Sequence, residues 1–165
     1  MAKAAAKRAP KQETVPEDDA NEELDVLELD ENLDDVEEPE LLPPAWYRAE
    51  VRGVELRDNQ AGTGKYYDVE FVVQPNNFPA DYDTENYPDG FITHYRLLRK
   101  PRSGADRRAV TNIRKFMQKL GVSTSTNIID PNEWVGKEAR LKIIHNKYQG
   151  ETREQIAPGG VEAAE

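Results

Sequence analysis

The residues with the most evident chemistry in this chain are cations. Between Arg96 and Lys119 stand nine basic side chains, Arg96, Arg99, Lys100, Arg102, Arg107, Arg108, Arg114, Lys115 and Lys119, with Asp106 the single carboxylate among them. Guanidinium and ammonium groups at this density neutralise phosphates and release counterions, which is the sequence-independent part of affinity for nucleic acid. A solvated helix face would account for any one of them, whereas the cluster as a whole points to an anion-binding surface. Lys65, Lys142 and Lys147 add charge from segments outside the cluster. Single strands also need flat side chains, because an exposed base gains about 1–3 kcal/mol by stacking on an aromatic ring. Trp46, Tyr66 and Tyr148 fall at outward positions of predicted strands and Tyr82 and Tyr87 in a loop, so these are the stacking candidates.

Other chemistry finds less material. The run Gly62-Thr63-Gly64-Lys65 invites comparison with a phosphate-binding loop, but Asn59 stands where the first glycine is needed and Tyr66 where the magnesium-binding hydroxyl belongs. Residues 66–73 then alternate as a strand, whereas such a loop must open a helix. His94 and His145 are the two histidines, and with no cysteine beside them a zinc site has few ligands to draw on. His145 lies on the inward row of its strand and reads as a partly buried, satisfied residue. Asp81, Asp83, Glu85 and Asp89 lack the spacing of a calcium loop. No serine sits in a nucleophile elbow. The expectation is a binding protein with no catalytic residues, no metal and no cofactor.

Periodicity predicts the scaffold that holds these groups. Tyr47, Ala49 and Val51 alternate with Arg48, Glu50 and Arg52, predicting a first strand over 46–57 with a bulge or bend at Gly53. A second strand is predicted over 65–74, joined to the first by a hairpin whose glycines supply positive φ. Residues 75–90 form a long loop whose Phe78, Tyr82 and Tyr87 either fasten it to the domain or offer stacking surfaces. A third strand is predicted over 91–98. Ala109, Val110, Ile113, Phe116, Met117 and Leu120 recur at helical spacing, with Ser103 or Asp106 as cap and Gly121 as stop. A fourth strand comes after Gly136-Lys137, and a short fifth runs through Ile156, with Pro158-Gly159-Gly160 ending the fold. The reading is mainly β with one helix in the order β-β-β-α-β-β, the order of the five-stranded OB-fold barrel, although other α+β sheets share the same string.

Charge divides the chain. Residues 1–44 hold 15 acidic and 4 basic residues and no aromatic, whereas residues 45–165 hold 17 acidic and 18 basic. The first segment cannot bury enough apolar surface to offset its ordering entropy, so a disordered acidic tail is expected over 1–44, an OB-fold domain over 45–160 and a short disordered end over 161–165. The tail reads either as a solubilising leader or as an acidic interaction segment, with Leu24, Val26, Leu27, Leu29, Leu33 and Val36 spaced among carboxylates. No apolar stretch resembles a signal peptide or a membrane span, which suits a cytoplasmic protein with no membrane partner.

The stretches "LPPAWYRAEVRGVELRDNQAGTGKYYDVEFVV" at 42–73, "NIRKFMQKLGV" at 112–122 and "WVGKEARLKIIHNKYQGETREQIAPGG" at 134–160 together resemble a family of phage-encoded OB-fold single-stranded DNA-binding proteins, formerly a domain of unknown function. The resemblance lies in a proline-containing start to strand one, a Gly-Lys-Tyr turn, a Gly-Lys pair before strand four and an Asn- and Gly-bearing hairpin. It implies non-sequence-specific binding of single-stranded DNA in phage replication or recombination within an infected bacterial cell. The DNA-contacting residues would then be Trp46, Lys65, Tyr66, Arg96, Arg99, Lys100, Arg102, Arg107, Arg108, Lys142, Lys147 and Tyr148. A replication or recombination protein is the partner the acidic tail would recruit. The competing expectation is a protein interaction module, or an acidic nucleic-acid mimic, that recruits or inhibits a host or phage partner.

Overall fold

The computed structural model describes residues 26–62, 64–99 and 106–164, and at Leu98 and Arg99 the backbone alone. The chain divides into two compact units, Met1–Glu38 and Pro39–Glu165. Of the first unit, residues 1–25 of the acidic tail lie outside the described residues. Residues 26–38 form one 3-10 turn over Leu33–Asp35, where the Asn32 side chain accepts the Asp34 N–H at 3.0 Å. Its apolar side chains face solvent, Val26 at 95% exposure and Leu27 at 82%.

The second unit is a five-stranded antiparallel sheet with one α-helix among its described residues. Its strands are β1 (Ala45–Asp58), β2 (Lys65–Val73), β3 (Phe91–Arg99), β4 (Glu138–Tyr148) and β5 (Glu151–Ala163), in the spatial order β3-β2-β1-β4-β5. The helix α1 (Arg107–Leu120) lies between β3 and β4 in sequence. Strand β1 is shared. Its first half pairs with β4 from Ala45↔Ile143 to Glu50↔Glu138, and its second half pairs with β2 from Glu50↔Val72 to Asp58↔Lys65. The expected irregularity at Gly53 is present as a register shift between Val51 and Gly53. A bulge sharpens local twist and bends the strand that carries it, which is how one strand serves both halves of the sheet.

The strand alternation lays one apolar row inward. Tyr47, Ala49 and Val51 of β1, Tyr67, Val69, Phe71 and Val73 of β2, and Ala139, Leu141 and Ile143 of β4 are buried in one cluster. Against them α1 packs Ile113, Phe116, Met117 and Leu120. Asp106 caps the helix by accepting the Ala109 N–H, and Gly121, at φ 76°, ends it. Trp134 is fully buried at the centre, edge-on to Tyr67 at 5.5 Å and Phe116 at 5.4 Å. Burying each such side chain is worth roughly 1.5–3 kcal/mol, so this cluster holds the sheet and helix together.

Three boundaries differ from expectation. Strand β5 does not stop at Ile156. Its pairing with β4 passes from Ile143↔Ile156 to Leu141↔Val161, leaving residues 157–160 to loop out opposite Lys142, and then continues to Ala163↔Ala139. Pro158-Gly159-Gly160 is thus a bulge inside the strand rather than its end, and Val161, expected in a loose terminus, is buried. At the other end Leu42 is fully buried, so Pro39–Pro44 belongs to the folded unit. The fastening comes from the long loop and from β5: the Tyr82 hydroxyl donates to the Glu40 carbonyl, Asn86 accepts the Glu40 N–H at 2.9 Å, and Glu154 of β5 accepts both the Leu42 N–H at 2.9 Å and the Tyr87 hydroxyl at 2.7 Å. The aromatic side chains of the 75–90 loop are therefore fasteners. Tyr82 and Phe78 are buried, with their rings edge-on at 5.4 Å, so Tyr82 offers no open face for stacking, whereas Tyr87 is half-buried and edge-on to Phe91 at 5.2 Å.

Candidate nucleic-acid interface

The outward row of the sheet carries the polar chemistry. At the β1–β4 seam Trp46 stands opposite Lys142 and Arg48 opposite Arg140. The Arg140 guanidinium lies over the Trp46 ring at 5.4 Å from its centroid, while Arg48 Nε donates to Glu138 at 2.8 Å. Trp46 remains 44% exposed, so one aromatic surface with three cations about it faces solvent. An exposed cation–π pair contributes about 0.5–1 kcal/mol, little enough for a stacking base to replace the arginine.

On the β2–β3 half Tyr66 supports Arg96, whose guanidinium sits 4.8 Å from the ring centroid. Beside them Asp68 accepts from Arg57 Nε at 2.8 Å and from His94 Nδ1 at 3.0 Å. Because a carboxylate only accepts, His94 Nδ1 is the donor in this contact. Glu70 lies 4.0 Å from His94 Nε2, so this half of the face is a web of compensated charge around one Tyr–Arg pair. Lys65 is tied to Asp58 at 2.8 Å in an exposed pair.

The remaining sequence candidates are placed elsewhere. Lys147 and Tyr148 occupy the tip of the β4–β5 hairpin, where Tyr148 is 57% exposed. Arg107 and Arg108 open α1 and are exposed. Arg99 ends β3 with its side chain undescribed, and Lys100, Arg102 and the alternative cap Ser103 lie outside the described residues. The described cations of the cluster are thus distributed over a sheet face, a helix start and a helix flank. Asn112, Lys115 and Lys119 line a cavity of about 310 Å³ between β3, α1 and β5, which Arg96 borders from β3 while its guanidinium lies over Tyr66.

His145 is satisfied as expected, but it is exposed rather than partly buried. It continues the inward row, but beyond the end of the core, where it is exposed and held by its Nε2 donating to the Leu42 carbonyl at 2.8 Å. Among the described residues no three potential ligands are grouped to hold a metal ion, and no helix is long and apolar enough to cross a membrane. The sequence pattern did not single out Arg48 and Arg140. Their signal was available in the register, since both sit on the row of Trp46 and Lys142 once β1 and β4 are paired. Compared with known proteins, the sequence matches no family model and no curated protein.

Proposed function

We propose that the Pro39–Glu165 unit is an OB-type barrel that binds single-stranded DNA without strong sequence preference, a binding rather than a catalytic role. The barrel reading is supported by the order β3-β2-β1-β4-β5 with a bent, shared β1 and the helix between β3 and β4. The sheet edges support it as well. β3 and β5 share no ladder, yet Phe91–His94 face Arg153 and Glu154 across one cleft and Tyr95–Leu97 face Val161 across another, so the edges run side by side in the same direction.

The observation that carries the binding reading is the exposed Trp46 ring flanked by Arg48, Arg140 and Lys142 on the outer sheet face. Bases stack on Trp46, and on Tyr66 once Arg96 swings to a phosphate, while the cations track the backbone. Protection of replication or recombination intermediates of a phage is the role that the resemblance of residues 42–160 suggests. Trp46→Ala is expected to weaken oligo-dT binding by about 1–3 kcal/mol, and Arg140→Glu with Lys142→Glu to weaken it more at low salt than at high. Unchanged affinity in both variants, each verified as folded, would remove the sheet face from the reading.

A second reading concerns the acidic segment alone. Val26, Leu27 and Leu33 project into solvent among carboxylates, the composition of a partner-binding segment. A replication or recombination protein with a basic, apolar groove is the partner this chemistry fits.

A further inference from the structure

We propose that the cleft between β3, α1 and β5 is a dedicated phosphate-binding pocket, separate from the Trp46 face. Its polar lining is Asn112, Lys115 and Lys119 from α1, with Arg96 of β3 at its border, and among the described residues no carboxylate contributes to it. Asn112, Lys115, Phe116 and Lys119 stand three, four and seven residues apart, which sets them on one helix face. Lys115 and Lys119 are like charges four residues apart, an arrangement that destabilises a helix by a few tenths of a kcal/mol. Among the described residues neither has an ion-pair partner to offset this. The helix dipole favours a lysine at position 119, in the last turn, but its influence falls off before Lys115, so it does not account for the pair.

Apolar walls border these cations. Tyr95 is stacked on Phe116 at 5.4 Å with an interplanar angle of 11°, and Leu97 and Val161 complete the lining. Low-dielectric walls beside converging cations focus the field and raise the local concentration of anions. A volume of about 310 Å³ is at the lower end of small-molecule sites and admits a phosphate with its sugar. The ligand chemistry is therefore a phosphate mono- or diester, supplied either by a free nucleotide or by the backbone or end of a nucleic acid. The pocket does not depend on the single-strand reading, since it can take phosphate from either source.

The test is a two-dimensional amide NMR titration of the full chain at constant ionic strength, with inorganic phosphate, dTMP, thymidine and oligo-dT added in turn. Phosphate and dTMP are expected to move the amides of Arg96, Asn112, Lys115 and Phe116 saturably, whereas thymidine leaves them in place. Lys115→Gln with Lys119→Gln should weaken both responses at least tenfold, and Arg52→Gln with Lys137→Gln, which removes the same charge from exposed positions elsewhere, should change them less than twofold. Oligo-dT that moves the same amides and displaces phosphate identifies a nucleic-acid source. Binding of phosphate and dTMP with these amides indifferent to oligo-dT identifies a free nucleotide, and the pocket stands whether or not oligo-dT binds elsewhere. No saturable shift from phosphate, dTMP or oligo-dT, or shifts that persist undiminished in the lysine variant, would overturn the proposal.

Discussion

Among single residues, the two tryptophans divide the labour of the domain. Trp134 is sealed in the core and Trp46 is open to solvent. Oligo-dT should therefore quench the emission of Trp46 only. In Trp46→Phe the remaining buried emission is expected to stay constant through the titration, and residual quenching of the wild-type size would place the bases elsewhere. Trp134→Ala should cost about 3–5 kcal/mol, read by urea denaturation, because the cavity it leaves borders both Tyr67 and Phe116. The tyrosines around the Glu40–Pro43 segment carry a pH signature. Burial pushes the Tyr82 hydroxyl up to about 12, aided by the Glu154 carboxylate. Burial and the hydrogen bond to Glu154 push Tyr87 up further. A phenol that ionises near 10 when unfolded and only near 12 when folded leaves the native state holding more protons over that interval, so stability falls as pH rises from about 10 to 12. Tyr82→Phe is expected to flatten this alkaline loss while lowering stability at neutral pH. An identical pH profile in the variant would count against the assignment.

Among the elements, the β4–β5 hairpin and the bulge of β5 show what pattern reading reaches and what it misses. Gln149 and Gly150 both have positive φ, 52° and 85°, as the tight hairpin requires. A glutamine there is held in the left-handed region at a cost of roughly 1–2 kcal/mol. Gln149→Asn should raise stability by about 0.5–1 kcal/mol, measured by chemical denaturation. Farther along β5, a Cβ on Gly160 would lie 2.8 Å from the Ala157 carbonyl oxygen and 3.1 Å from Lys142 Cβ. Gly160→Ala is therefore expected to cost about 1–3 kcal/mol and to loosen Val161. The sequence marks the hairpin through Gly150 and the alternation on either side. It marks Pro158-Gly159-Gly160 as a stop, because proline and glycine at a strand end and in a bulge look alike until pairing brings Val161 opposite Leu141. The helix was legible from its apolar spacing and Gly121, with Asp106 one of two caps offered, since caps and period are local properties. The loop at 75–90 was legible only as a loop. That its Tyr82 and Asn86 would hold Glu40 depends on contacts more than forty residues away in sequence, which no local pattern encodes.

Across the whole chain, charge and fold have different boundaries. The composition changes at Pro43-Pro44, whereas the folded unit begins at Pro39, because Leu42 is buried and Glu154 holds its N–H. A chain beginning at Ala45 should consequently be less stable than one beginning at Pro39 by about 2–5 kcal/mol, the cost of losing a buried leucine with its hydrogen bonds. The cations and rings were legible as an inventory, but their grouping was not. Arg96 and Tyr66 meet through cross-strand pairing, and Trp46 gathers Arg140 and Lys142 the same way, while Lys115 and Lys119 turn toward a different cleft. Whether the outer face binds single strands is decided by fluorescence anisotropy of a labelled oligo-dT, compared with duplex of the same length over a salt series. Binding to the single strand is expected to be tighter than to duplex, with affinity falling steeply as salt rises. Equal binding to duplex, or none to oligo-dT at low salt, would refute single-strand recognition by this domain.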